Sequence, residues 1–224
     1  LAFIGYTEYA YGVIADRTQH PKDDLMSVLC PAEVDGDRLD HQAIIDESLL
    51  ILIGGDETTR HVISGGAYQL LANRDQWDRL QGDRELLPSA LEEMLRWVSP
   101  IKNMNRTATT DVVINGQQIR SGDNVLLLYP SANRDEDVFE DPFRFDVGRT
   151  PNDHVAFGFG THFCLGNSLA RLELKVMFEE LLDRLPDLEL VGSEEPGYRA
   201  ANFVSGYEHM PVRFTPTAPV GRPT

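Results

Sequence analysis

The stretch Phe157-Gly158-Phe159-Gly160-Thr161-His162-Phe163-Cys164-Leu165-Gly166 constrains this chain more than any other. Three glycines frame one cysteine, and glycine permits backbone angles and close approaches that a side chain blocks. The residues that follow, Asn167 to Leu185, predict a helix with an apolar stripe of Leu169, Leu172, Val176, Leu181, Leu182 and Leu185. Cys164 therefore stands at a helix N-terminus behind a tight loop. Free amides and the positive end of the helix dipole favour a thiolate there, and a thiolate serves as a nucleophile or a metal ligand. Most free cysteines are small buried hydrophobes; the glycines and aromatics arranged around this one argue against that reading.

The pattern Phe-x-x-Gly-x-x-x-Cys-x-Gly resembles the haem-binding loop of the cytochrome P-450 monooxygenases, with His162 two residues before the cysteine. The resemblance implies heme b as cofactor and Cys164 as the axial ligand of its iron. It places Phe157 and Gly158 against the thiolate side of the haem and His162 on a haem propionate.

A chain of 224 residues, 42% hydrophobic and 25% charged, has the size and composition of an ordinary globular protein of one or two domains. Its net charge of −16 argues against general nucleic-acid binding. The longest apolar run, Leu49 to Ile53, is too short for a membrane span. Cys30 and Cys164 make no disulfide framework, which suits a reducing cytoplasm. His20, His41, His61, His154 and His209 show no metal-ligand spacing and read as surface or packing residues.

A helical pattern runs from about Asp40 to Asn73, and its centre, Leu49-Leu50-Ile51-Leu52-Ile53, is apolar on all sides and so is expected to be buried. Gly54-Gly55-Asp56-Glu57-Thr58-Thr59 interrupts it. Each glycine weakens a helix by about 1 kcal/mol relative to alanine, and acids in a core are costly unless paired. A packing notch between helices is the plain alternative, but the notch is polar as well as small. The stretch resembles the oxygen-binding motif of the same family. That implies Thr58 as the hydroxyl bonding dioxygen, Glu57 as the acid of the proton-passing pair, and Gly55 as a point where the helix opens beside the haem.

Further helices are expected over Leu1–Arg17, Asp23–Cys30, Gln76–Gly82 and Leu86–Val98, the last stopped by Pro100. Glu93 and Arg96 share a face at i, i+3. By itself this is a surface pair of little value; in the family it resembles Glu-x-x-Arg, a buried structural pair, with Arg144 matching its third member. Val112–Ile119 reads as a hairpin on an Asn-Gly turn, and Asn124–Tyr129 as a strand. Arg106 falls where the family places a propionate-binding arginine. Ala200–Phe214 is expected to form a C-terminal hairpin, and residues 215–224, rich in proline, a disordered tail.

The expected fold is mainly α with small β-sheets, the C-terminal portion of the cytochrome P-450 fold, with residues 1–224 one partial catalytic domain whose N-terminal half is absent. The activity so implied is insertion of one atom of O2 into a C–H bond. Electrons would come from NAD(P)H through ferredoxin and ferredoxin reductase in the cytoplasm. Leu50, Ile51, Ile101, Met104, Phe203 and Val204 would line an apolar pocket, with no nucleic acid and no membrane span. The runs Leu49–His61 and Ala201–Gly206 resemble actinobacterial members that hydroxylate the terminal side-chain carbon of cholesterol and cholestenone. Two alternatives stay open: a peroxygenase or reductase of the same fold, against which Thr58 argues, and a non-haem enzyme with Cys164 as nucleophile and His162 as base.

Overall fold

In the computed structural model, which describes residues 2–192 and 195–217, the chain divides into two units, residues 1–56 and 57–224. The first holds helices α1 (Ala2–Gln19), α2 (Leu25–Leu29) and α3 (His41–Asp56) and a short hairpin of β1 (Glu33–Val34) and β2 (Asp37–Arg38). Asp24 caps α2, its carboxylate accepting from the Ser27 amide. Ala10 and Ile14 of α1 pack on Ile44 and Ile45 of α3. The Tyr6 and Ser48 hydroxyls meet at 2.7 Å.

Within this unit the covered part of α3 ends near Ser48. Leu50, Ile51, Leu52 and Ile53 are exposed, contrary to the burial expected from their all-round apolar character. An all-round apolar helix needs partners on every side, and α1 and α2 reach only its first half.

The long helix expected over 40–73 is two helices. Helix α3 ends at Asp56, and α4 (Thr58–Ala72) starts after Glu57, whose backbone is its N-cap. The two glycines lower the local preference for helix, and the Glu57 side chain is drawn to arginines rather than to the free amides of α4.

The larger unit packs α4 against α5 (Arg74–Gly82), α6 (Leu87–Val98) and α8 (Asn167–Arg184). Its core contains Leu70, Trp77, Leu80, Met94, Leu174, Phe178 and Leu182. Each large apolar side chain so buried contributes about 1.5–3 kcal/mol. Helices α4 and α6 come close because α4 carries glycine at the contact. A Cβ on Gly65 would lie 2.6 Å from Val98 Cγ2, and one on Gly66 2.7 Å from Met94 Sδ. Helix α8 is apolar on two sides. Leu174, Phe178 and Leu182, at i, i+4 and i+8, face the core, whereas Leu169, Leu172 and Val176 of the expected stripe are exposed.

Strand β3 (Asn103–Thr107) pairs antiparallel with β6 (Asn124–Leu128), and β4 (Val112–Ile114) with β5 (Gln117–Ile119) across the Asn115-Gly116 turn. Both turn residues take positive φ. Helix α7 (Tyr129–Ala132) follows β6. The C-terminal hairpin is not regular. Strand β8 (Val212–Arg213) pairs with β7 (Glu189–Leu190), while Tyr198–Tyr207 and Ile101–Val204 are single bridges. Residues 202–205 also bond to the chain leaving α6, as in Lys102 N–H to Phe203 C=O (2.8 Å) and Ser205 N–H to Pro100 C=O (3.2 Å). Of the expected tail, residues 215–217 have no regular structure, and the remainder lies outside the described residues.

Glu93 and Arg96 are fully buried. Arg96 donates to both Glu93 oxygens (2.7 and 2.8 Å) and to the carbonyls of Asn133 and Pro142 (2.7 and 2.9 Å). The second guanidinium on Glu93, and so the third member of the set, belongs to Arg149, not to Arg144: Arg149 Nε lies 3.2 and 3.1 Å from the carboxylate oxygens. Arg144 has an exposed side chain and supplies only its carbonyl, which accepts from Arg149 and Arg96. Its place in the chain, next to Phe145 that turns into the core, points its side chain outward. Removing one partner of a buried pair leaves an uncompensated charge. Arg149→Met should therefore destabilise the protein by about 3–5 kcal/mol, and Arg144→Ala by about 0–1 kcal/mol, in urea unfolding. Equal losses would contradict the assignment of Arg149.

Candidate functional site

The loop before α8 is shaped by its backbone. Gly158 and Gly160 hold φ of 74° and 72°, which side chains rarely adopt. Residues Gly160–His162 form a 3-10 turn closed by Phe163 N–H to Gly160 C=O (3.0 Å). The Cys164 amide donates back to the Phe157 carbonyl (2.9 Å), and the Cys164 carbonyl accepts from the Asn167 side chain (2.8 Å). The sulfur thus lies just before the first turn of α8, half-buried, with no hydrogen bond to it among the described residues. Phe159, Phe163 and Leu165 beside it are exposed.

Phe157 is half-buried. It stacks edge-on to Phe163 (6.2 Å between centroids) and lies under the Arg171 guanidinium (4.6 Å). Arg171 reaches Glu92 of α6 through Nε and Nη2 (2.7 and 3.0 Å). The same carboxylate takes His154 Nε2 at 3.0 Å. His154 Nδ1 accepts from the Ala156 amide (3.2 Å), so its proton sits on Nε2 and is donated to Glu92. Burial pushes the Glu92 carboxyl up, but the bonds from His154 and Arg171 outweigh it and hold the pKa down at about 2. Sequence reasoning passed over Glu92 and Arg171 and read His154 only as a surface or packing residue. The one available signal was Glu92 beside Glu93 on an otherwise apolar helix.

Glu57 and Thr58 stand at the start of α4. Arg199 Nη1 lies 3.0 and 3.3 Å from the two Glu57 oxygens, and Arg60 Nη2 lies 3.0 Å from one. The Arg199 bond is the main cause that lowers the Glu57 carboxyl pKa. Glu57 and Arg199 share a cavity of about 590 Å³ with Arg60, His61, Ser64 and His209. Arg199 also carried no sequence signal, being 142 residues from its partner.

Among the pocket residues, Ile101 pairs with Val204, and Phe203 lies beside them through its carbonyl. Met104 follows on β3. Leu50, Ile51 and Gly55 belong to the other unit and are exposed. Arg106 on β3 is exposed, its guanidinium donating to the Asn105 carbonyl (2.9 Å), and His162 is exposed in the 3-10 turn. The donor chemistry of the loop is one soft sulfur flanked by apolar side chains. Among the described residues no group of three or more His, Cys, Asp or Glu could hold a bare metal ion. A single thiolate with apolar flanks fits a haem, which brings its own equatorial ligands.

Sequence and structure comparisons agree with this chemistry. The family described as cytochrome P-450 matches residues 8–189. The chain is 59% identical over 218 residues to a steroid C26-monooxygenase of Mycolicibacterium smegmatis, covering 97% of this chain and 54% of that protein. It is 44% identical to a methyl-branched lipid omega-hydroxylase of Mycobacterium tuberculosis, covering 92% of this chain and 48% of that one. A Bacillus megaterium crystal structure in complex with testosterone superposes with a TM-score of 0.89 at 39% identity, covering 95% of this chain and 59% of that one. The chain thus spans about half the length of the curated relatives it matches.

The Glu57 contacts set a pH dependence. A carboxyl whose folded pKa is depressed contributes stability that is present above its unfolded pKa and is lost as pH falls through the folded value. Arg199→Gln should raise the Glu57 pKa toward the ordinary glutamate range, read by carboxyl-carbon NMR. The stability difference between wild type and variant should vanish in acid. An unmoved Glu57 titration would contradict the Arg199 contact.

Proposed function

The chain belongs to the cytochrome P-450 family, and we propose that it carries the ligand loop and proton-passing residues of a haem-thiolate monooxygenase acting on a steroid side chain. The observation that carries this reading is the placement of Cys164. Its sulfur is held before α8 by a glycine-shaped loop and has no protein hydrogen bond among the described residues. Bound haem would supply the oxygen chemistry, with the cysteine thiolate favouring O–O cleavage.

The chain's own residues set the rest. Cys164 presents its sulfur just before the first turn of α8. Phe157 and Gly158 shape the loop behind it. Arg106 and His162, exposed and free of carboxylate partners in the described contacts, suit the haem propionates. Glu57, kept ionised by Arg199 and Arg60 and open to a polar cavity, takes protons from solvent. The Thr58 hydroxyl next to it passes them on.

Ile101, Met104, Phe203 and Val204 offer an apolar wall to a sterol-like substrate in this reading. The steroid C26-monooxygenase activity of the relatives at 58–59% identity supports the terminal carbon of the side chain as the reacting position. Electrons come from NAD(P)H through ferredoxin reductase and ferredoxin, and the enzyme works in the cytoplasm. No helix of the described residues is long and apolar enough to cross a membrane.

The test is turnover of a steroid with an intact side chain by the haem-loaded protein, with ferredoxin, ferredoxin reductase and NADH or NADPH. The expected product carries a hydroxyl on the terminal side-chain carbon. Thr58→Ala should keep cofactor consumption but lower product per reduced cofactor, with the rate of product formation falling by about 100-fold or more, the scale of one proton-transfer group. An unchanged ratio would remove Thr58 from the proton path, and no hydroxylated product in wild type would overturn the substrate class.

A further inference from the structure

The hydrogen bonds behind Cys164 close into a ring that none of the roles above uses. The Cys164 carbonyl accepts from Asn167 Nδ2 (2.8 Å), and Asn167 Oδ1 accepts from Arg171 Nη1 (2.9 Å), one turn further along α8. Arg171 grips Glu92 with two parallel bonds (2.7 and 3.0 Å). Glu92 accepts from His154, and His154 accepts from the amide of Ala156, the residue before Phe157. The Phe157 carbonyl takes the Cys164 amide (2.9 Å), and its ring lies under Arg171. Both polar groups of the Cys164 peptide are therefore tied, through named side chains, to one carboxylate on α6.

We propose that Glu92 and Arg171 are positioning residues that hold the Cys164 peptide, and with it the sulfur, in the orientation needed to bind haem iron; this rests on the haem-thiolate reading above. A loop with two glycines at positive φ loses more chain entropy on ordering than an ordinary one. Its own backbone bonds fix only the turn. The brace links it to α6, where Ala90, Leu91, Met94 and Leu95 are buried in the core. As an isolated ion pair, partly exposed at both ends, Glu92–Arg171 would be worth little. Its place in a closed ring around the ligand residue gives it a function that its stability contribution does not.

The test compares Glu92→Gln, Arg171→Gln, Arg171→Lys and the double variant Glu92→Gln/Arg171→Gln, with two readouts. In haem-loaded protein, the fraction of the reduced carbon monoxide complex with the red-shifted Soret band of a thiolate ligand should fall at least about twofold in each single variant. Lysine, which keeps the charge but not the fork, should behave as glutamine does. The double variant should be no worse than the singles, because the two residues act as one unit. In ligand-free protein, hydrogen exchange of the Cys164 amide should quicken about tenfold in the same variants.

Variants that lower the melting temperature but keep the wild-type thiolate fraction and the wild-type exchange rate would overturn the proposal and leave a structural ion pair. A wild type that shows no thiolate band would overturn the haem reading instead. The brace is then judged by amide exchange alone, and an unchanged rate overturns it. Arg171→Lys replaces Arg171→Gln if the latter does not fold.

Discussion

The buried carboxylate of Glu93 is the interaction on which the larger unit depends. It accepts from Arg96, Arg149, Asn152 and the Asp146 amide, so one charge on α6 organises a segment that has no regular secondary structure of its own. Arg96 in turn binds the carbonyls of Asn133, Pro142 and Arg144. A buried charge satisfied this fully tolerates no vacancy, since an unpaired group keeps its whole desolvation cost. Residues 133 to 152 therefore have one arrangement, and the cysteine loop starts from its end. Asn133 Oδ1 takes the amide of Val155, two residues before Phe157.

Glu92, the preceding residue, does the complementary task. Neighbours on a helix point about 100° apart, so the two acids of α6 face different parts of the chain. Glu93 turns to residues 146–152, and Glu92 to His154 and α8. A short helix whose opposite side is buried against α4 and α8 thus fixes both the approach to the cysteine loop and its exit. The elements to which the proposed function assigns chemistry lie at the margins of this frame. Glu57 occupies the interruption between α3 and α4, Thr58 opens α4, and Cys164 lies in the loop just before α8. Local stability is lower at such points than in the core, which is where a proton path and a ligand loop need access.

Much of this was legible from local signals. The Asn115-Gly116 hairpin, the end of α6 before Pro100 and the glycine-framed loop each rest on residues a few positions apart. The partners chosen across the chain were not. Arg144 and Arg149 lie five residues apart on an irregular segment, and only tertiary packing decides which guanidinium turns inward. Arg199 and Arg171 find their acids 142 and 79 residues away. Periodicity gave the extent of α8 but not which of its two apolar sides is covered, because Leu172 and Leu174 look alike to a pattern. The all-round apolar run at Leu50–Ile53 called for burial, but residues 1–56 supply packing only up to Ser48.

The account turns on the Cys164 sulfur being bonded to iron as a thiolate. Resonance Raman spectroscopy of the ferric, haem-loaded protein tests this directly when the protein is labelled with heavy-sulfur cysteine. The account predicts an iron–sulfur stretching band that shifts to lower frequency with the label and disappears in Cys164→Ser, while Cys30→Ser leaves it unchanged. A haem spectrum that does not respond to the sulfur isotope, or an iron–sulfur band that survives Cys164→Ser, would contradict it.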